Sequence, residues 1–385
     1  MEHIDSYLNI NLFPQFYFQQ RDTHKIFIGL GEVPLSQDFF QRFQTLPEEL
    51  VFFYNQLFNG NKPYVTLPRF QIQIDGSDVK VHTVFKEPLP SQKLETSSHP
   101  PVVATRFDKP KKSDWLNLFT KIHEKFQDET FRKIVPARKV TVDLEQNLNI
   151  LEFFKKIMKD SNYNYMIRTS EHSAFMGSSP ERLLFFQDSK FQTEAIAGTR
   201  PKELAHELLE SEKDLYEHNL VVEDIIAKLK PFSEKIHSEK TAVIDAKNLA
   251  HLKTKITATP SLGNTQTGNA QSKNIFNVIE SLHPTSAVCG MPKRESINFL
   301  RESESFDRGL FASPFGVFNR KFTDICVAIR CCHIEKNRVD LFSGVGVVPQ
   351  SNPESEWQEL EHKIQPYLDL LGIHAEDDIS IAAPK

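Results

Sequence analysis

Tyr163-Asn164-Tyr165-Met166-Ile167-Arg168-Thr169, Ser173-Ala174-Phe175-Met176-Gly177 and Arg182-Leu183-Leu184-Phe185-Phe186 follow one another with only short breaks between them. Each stretch is apolar, rich in aromatic or branched side chains, and of strand length. Breaks this short cannot hold a crossover helix, so the three read as successive antiparallel strands of a meander. Outward from them, residues 16–20 and 25–30 read as strands around the turn Arg21-Asp22-Thr23-His24, and residues 70–74 and 134–142 as further strands. Late strands are predicted at 316–318, 324–333 and 339–343.

Helical periodicity appears at 35–58 (broken near Pro47), 150–159, 211–230 and 354–371. Another helix is predicted from Ser113 as its cap, with Trp115, Leu118, Ile122 and Phe126 as its inner face; His123 on that helix reads as an exposed or satisfied histidine. Strands that often follow each other directly favour an α+β fold with large, mostly antiparallel layered sheets over a doubly wound parallel one. Residues 1–105 read as an N-terminal lobe, 106–372 as the core and 373–385 as a tail. The proline- and serine-rich stretch 87–101 reads as a surface connection.

With 46 basic and 51 acidic residues the net charge is −5, which gives no electrostatic reason to expect nucleic acid. No apolar run approaches the roughly 20 residues needed to span a bilayer, and the N-terminus lacks a secretory pattern. No membrane association is expected. Cys289, Cys326, Cys331 and Cys332 form no CxxC pair and no zinc spacing with histidine. They read as reduced structural thiols of a cytoplasmic protein.

The chemistry-bearing residues begin with two acidic helices. In the last helix, Glu356, Glu359 and Lys363 lie at spacings of three and four along the edge of an apolar face made by Trp357, Leu360, Ile364, Tyr367, Leu368 and Leu371. Alone, Glu359 and Lys363 read as an exposed i,i+4 pair. The 211–230 helix carries Glu217 at the edge of its own apolar face, with Asp224 seven residues on. Carboxylates at a core boundary are costly unless paired or bound to a cation. A hard cation such as Mg²⁺ would satisfy both helices. Gly344-Val345-Gly346 is weak evidence for nucleotide binding, since no third glycine and no P-loop lysine follow, and a bulge explains it equally well.

Eight segments in order carry a resemblance. They are Phe131 to Arg138 with Lys133, Ser178-Ser179-Pro180-Glu181, Glu194 to Arg200, Lys213 to His218, Leu282-His283-Pro284-Thr285, Arg308 to Ala312, Gly344 to Val348 and Glu356-Trp357-Gln358-Glu359. Together they resemble the chorismate-using enzymes: anthranilate, aminodeoxychorismate, salicylate and isochorismate synthases. The resemblance runs from about residue 131 to 363. It implies a layered α+β fold of two related lobes with chorismate bound between them. It also implies Mg²⁺ on Glu217 and Glu359, with Glu356 close by. Arg330 would anchor the enolpyruvyl carboxylate through its guanidinium fork, and Lys363 would serve the same dianionic substrate. Gly198 and Thr199 would line the ring pocket, and the backbone at Gly344 and Gly346 would approach a substrate carboxylate. His283 matches the family's pocket histidine, and a buried structural role fits it equally well.

Glu181 matches the family's general acid, which must stay protonated near neutral pH, as burial favours. Lys133 matches the base of the water-adding members, where ammonia-adding anthranilate synthases usually carry glutamine. Ala197 stands where aminodeoxychorismate synthases typically carry a nucleophilic lysine. The resemblance therefore implies an isochorismate synthase, working without an amidotransferase subunit and as a monomer, feeding menaquinone or siderophore synthesis. Salicylate synthase, which shares the lysine and the acid, and a non-catalytic chorismate-binding paralogue are the alternatives. Retention of Lys133, Glu181, Glu217 and Glu359 disfavours the second. Pro136, Ser286, Cys289 and Ser313 (with Phe311) depart from the family pattern without removing a proposed catalytic group.

Overall fold

The computed structural model describes residues 2–35, 43, 46–60, 62–94, 100–246, 249–261 and 268–374. Two antiparallel sheets dominate it. The first runs in the order Asp78–Thr83, Tyr64–Asp75, Ile26–Val33, Gln15–Gln19, Tyr163–Ser170, Ser173–Ser179, Cys331–Glu335, Arg338–Gly344, Ala137–Leu144, Val103–Lys109. The second runs Phe52–Asn55, Pro314–Phe318, Phe322–Val327, Arg182–Gln187, Lys190–Pro201, Leu249–Pro260, with Ser233–Ser238 and Ala242–Ala246 sharing its far edge. The start of Tyr64–Asp75 also pairs with Phe52–Asn55, so one long strand stitches the two sheets together. The expected meander is present, and the fold is the antiparallel α+β type. The division expected at residue 105 falls inside the strand Val103–Lys109 of the first sheet.

The central strands of the first sheet, Gln15–Gln19, Tyr163–Ser170 and Ser173–Ser179, are buried on both faces along most of their length, which explains their apolar runs. Phe16 and Phe18 join Tyr163, Tyr165, Phe175, Phe315 and Val317 in the core between the sheets. Tyr17, between those two phenylalanines, joins Met166, Met176, Leu341 and the helices Ile150–Ile157 and Pro353–Leu370 on the outer face. Alternation along a strand thus feeds two cores at once. The abundance of phenylalanine finds its use here, because each buried ring contributes about 2 kcal/mol.

Three elements differ from expectation. Within the expected 35–58 helix, residues 36–42 and 44–45 lie outside the described residues, and Phe52–Asn55 is a strand of the second sheet. Its four buried side chains pair with Pro314–Phe318, so sheet pairing overrides the local helical pattern. The Lys112–Gln127 helix starts at Lys112 with Lys111 as its N-cap, so Ser113 lies inside the first turn and does not cap. The expected strand 324–333 breaks into Phe322–Val327 and Cys331–Glu335, one in each sheet.

The last helix is clamped by Arg138, whose side chain is completely buried. Its guanidinium lies 2.6 Å from Asp108, 2.6 Å from Glu361 and 4.3 Å from the Trp357 ring centroid. Trp115 adds an indole N–H bond of 2.9 Å to the carbonyl of Pro353. Arg138→Ala should cost about 2–3 kcal/mol, because it removes the cation beside Glu361 and the stack on Trp357, while Asp108 keeps its pair with Arg106. Urea denaturation followed by circular dichroism tests this. A loss below about 1 kcal/mol, the range of exposed pairs, would show that the clamp is not structural.

Candidate active site

The chain passes from the first sheet to the second at Pro180-Glu181, between Ser173–Ser179 and Arg182–Gln187. It passes back at Ile329-Arg330. Both crossings lie on one seam, where the Val327 N–H donates to the Glu181 carbonyl and the Ser178 N–H to the Arg330 carbonyl. Arg330 itself has φ 52°, a left-handed backbone that non-glycine residues adopt at a cost. The Tyr367 hydroxyl also donates to its carbonyl, and the Tyr165 hydroxyl to that of Ile329 at 2.9 Å, so the corner is held from two sides.

A cavity opens on this seam. Glu181, Gly198, Thr199, Glu217, Arg330, Gly344, Gly346, Glu359 and Lys363 all line it. Residues more than 180 positions apart in sequence are thereby brought to one wall.

Lys133 lies immediately behind that wall. It begins the two-residue strand Lys133–Ile134, which pairs with Gly290–Met291 and bonds through Ile134 to Val347 at 3.0 and 2.8 Å. Its side chain is 1% exposed, and its Nζ lies 3.0 Å from Glu217 Oε1. Gly346 is what makes room: a Cβ there would fall 2.0 Å from Glu217 Oε1 and 2.8 Å from Lys133 Cε. The expected reason for this glycine was close approach of backbone to a substrate carboxylate, and the structure supplies a nearer one. At Gly344 a Cβ would meet only ordinary contacts, the nearest at 3.5 Å. The Gly344 carbonyl instead accepts from Lys363 Nζ at 2.8 Å.

The carboxylates come from two helices. Ser211 caps the Glu212–Leu229 helix by accepting from the Asp214 N–H, which sets Glu217 at the cavity. Asn352 caps Pro353–Leu370 in the same way, setting Glu356 and Glu359. Glu359 pairs with Lys363 at 2.6 Å, and Glu356, 2% exposed, with Lys213 at 2.9 Å. Burial alone would raise the Glu217 carboxyl, but Lys133 and Lys213 outweigh it and hold it low. Glu356 is pushed up to about 7 by burial, against the pull of Lys213. Among the described residues no three acidic, histidine or cysteine side chains form a ready metal cage. The donor set suits a hard cation that takes one or two carboxylates and keeps other oxygens, as Mg²⁺ does.

Glu181 is 4% exposed and faces this charged group. Burial pushes its carboxyl up to about 8, and the opposing effect of Lys133 is the smaller. The acid is therefore protonated at neutral pH. Gly198, at φ 75°, makes a bulge in Lys190–Pro201 that turns Thr199 toward His251, whose Nδ1 lies 2.9 Å from the Thr199 hydroxyl. His251 also lines the cavity; burial, helped by Arg330 and Lys363, lowers it to about 3 and keeps it neutral.

Sequence reasoning missed His251, Lys213 and Arg308. Arg308 lines the cavity and ties Val135 to Val288 through their carbonyls, at 2.6 and 2.8 Å. Arg308 and Lys213 lay inside quoted segments, and only their contacts reveal their use.

Two expected positions lie elsewhere. His283 is absent from the cavity wall; its ring packs edge-on to Phe58, and burial lowers it to about 3. Asp224 pairs with Lys228 at 2.8 Å and accepts the Ser286 N–H at 2.8 Å. That bond excludes proline at 286, since proline has no N–H to donate. Phe311 stacks on Phe342 in the cavity wall, at 5.3 Å between centroids.

These features make a polar pocket of cations and carboxyls on the seam of a two-sheet α+β fold. The family model described as "chorismate binding enzyme" matches residues 77–372, and the chain belongs to that family. It is 31% identical to the isochorismate synthase MenF of Haemophilus influenzae, over 91% of this chain and 85% of the relative. The solved structure of MenF, the menaquinone-specific isochorismate synthase of Escherichia coli, superposes with a TM-score of 0.85 at 24% identity, covering 96% of this chain and 91% of the other. Anthranilate synthase component I of Streptococcus pneumoniae shares the fold at a TM-score of 0.67 and 15% identity, covering 94% and 91%.

Two outcomes test the geometry. Gly346→Ala should leave the protein folded but lower chorismate turnover about 100-fold, since its Cβ displaces Glu217 by the order of an ångström; steady-state kinetics beside a thermal melt would show it, and turnover within twofold of wild type would refute the packing argument. The second concerns pH. Glu181 keeps its proton up to about 8 when folded, against an ordinary value of 4.5. Its contribution to stability is fully present below the ordinary value and is lost as pH rises through about 8. In urea denaturation wild type should therefore lose stability from pH 5 to 8 relative to Glu181→Gln; parallel pH profiles would contradict the raised value.

Proposed function

We propose that this chain is an isochorismate synthase, adding water at ring carbon 2 of chorismate while the carbon-4 hydroxyl leaves. The observation that carries this reading is a protonated Glu181 and a Lys133 buried behind the wall of one cavity, which also presents Arg308, Arg330 and Lys363. Chorismate brings two carboxylates, and Arg330 and Lys363 are the groups offered to the enolpyruvyl one. Thr199 and the backbone around Gly198, Gly344 and Gly346 shape the space for the ring.

The chemistry then follows from proton positions. Lys133 acts as the free amine: once it is released from Glu217 its ammonium proton passes to solvent, and the amine then takes a proton from water as the oxygen bonds to carbon 2. The ring double bonds shift, and the carbon-4 to oxygen bond breaks. Glu181 delivers its proton to the departing hydroxyl, which leaves as water. One water enters and one departs, so the net change is an isomerisation. The reading includes magnesium at Glu217 and Glu359 with Glu356 behind them, where it would supply Lewis-acid stabilisation of the ring carboxylate. Lysine at 133 supports water as the nucleophile, so no amidotransferase partner is required. The product would feed menaquinone or siderophore synthesis.

Incubating the purified protein with chorismate and Mg²⁺, with and without ammonium, and separating the products tests the reading. Isochorismate alone is expected, unchanged by ammonium. Lys133→Ala should lower its formation by about 10² to 10⁴-fold while chorismate binding persists. Salicylate with pyruvate would convert the reading to salicylate synthase. Anthranilate or aminodeoxychorismate would overturn the Lys133 argument, and no product at all would indicate a non-catalytic paralogue.

A further inference from the structure

Lys213 is left unused by this mechanism, yet it sits among the carboxylates. Its Nζ is 2.9 Å from Glu356 Oε1 and 3.6 Å from Glu217 Oε2, so it joins the two acidic helices by itself. It occupies the second position of Glu212–Leu229, where a cation opposes the helix dipole. The helix therefore gains nothing from a lysine there; the gain lies with the buried carboxylates. Lys133, Lys213 and Lys363 stand beside Glu217, Glu356 and Glu359, one ammonium to each carboxyl. A divalent cation added to this group must compete with ammonium charge already in place. The three lysines are not equally able to yield. Side-chain exposure is 1% for Lys133, 15% for Lys363 and 24% for Lys213. Lys213 alone is tied to the carboxylates of both helices and also reaches solvent.

We infer, on the magnesium reading proposed above, that Lys213 is a built-in counter-ion. It holds Glu217 and Glu356 together in the metal-free protein and weakens metal binding by competing for the same carboxylates. With magnesium held by these carboxylates, the Lys213 ammonium would give up its contacts with them and face solvent. Lys213 is thus a positioning residue that sets metal affinity, and its removal favours the metal-loaded form.

The test uses the full chain and Mg²⁺ itself, without substrate. Isothermal titration of wild type, Lys213→Met and Lys213→Arg gives the metal affinity, and thermal melts in EDTA and in Mg²⁺ give the stability of each form. Lys213→Met should bind Mg²⁺ at least about tenfold tighter, melt lower than wild type in EDTA, and show a larger rise on adding Mg²⁺. Lys213→Arg keeps the charge and should track wild type in both. If Lys213→Met does not fold, the double variant Lys213→Met/Glu356→Gln, which leaves no charge stranded on Glu356, should fold in EDTA; failure of that variant too would show that the pairing is not what Lys213 provides. Unchanged or weaker Mg²⁺ binding by Lys213→Met would overturn the inference while leaving the metal site intact. Wild type showing neither heat nor a melting shift at millimolar Mg²⁺ would sink the magnesium reading, and this inference with it.

Discussion

A lysine and a glutamate, both buried, meet at 3.0 Å between Lys133 and Glu217, and the site is organised around that contact. Removing two charges from water costs several kcal/mol per ion unless the geometry and surrounding partners repay it. Here the repayment is collective. Lys133 is fixed by backbone pairing to Gly290–Met291 and Val347, Glu217 by a capped helix, and Gly346 by yielding the volume of a methyl group. Burying a base on an acid has a further consequence. With Lys133 engaged by Glu217, no cation among the described residues bonds the neighbouring Glu181, and its own burial makes it the group that stays neutral.

The fold contributes by crossing between sheets twice at the same height. A strand end is a poor place to hold a side chain rigidly, but here each crossing is bonded to the other strand's corner. Glu181 and Arg330 therefore sit on backbone that is locked, at Arg330 in a left-handed conformation. Arg138 fastens the helix that brings Glu356, Glu359 and Lys363. The acid, the anchor and the carboxylates thus come from four separate elements tied to one seam.

Much of this was legible in the residues. The meander of 163–186 announces antiparallel pairing because its gaps exclude crossovers. Glu217, Glu356, Glu359 and Lys363 announce themselves as charges on the edges of apolar helix faces. Glu181 and Lys133 were reached through the ordered motifs. Other readings depended on contacts that spacing does not encode. Residues 52–55 look helical locally and become a strand because a partner strand from 314–318 lies beside them. Residues 324–333 read as one strand, whereas Arg330 within them turns a corner between two sheets. Asp224 shares a helix with Glu217 but faces the loop at Ser286, and His283 packs on Phe58.

Periodicity, charge placement and motif order are properties of neighbours along the chain, so they determined the antiparallel α+β class, the acidic helices and the candidate acid and base. Protonation, partner choice and the volume around each group depend on atoms distant in sequence. Only the packed structure could therefore decide that Glu181 is neutral, that Gly346 makes way for Glu217, and that Lys213 stands between the two acidic helices.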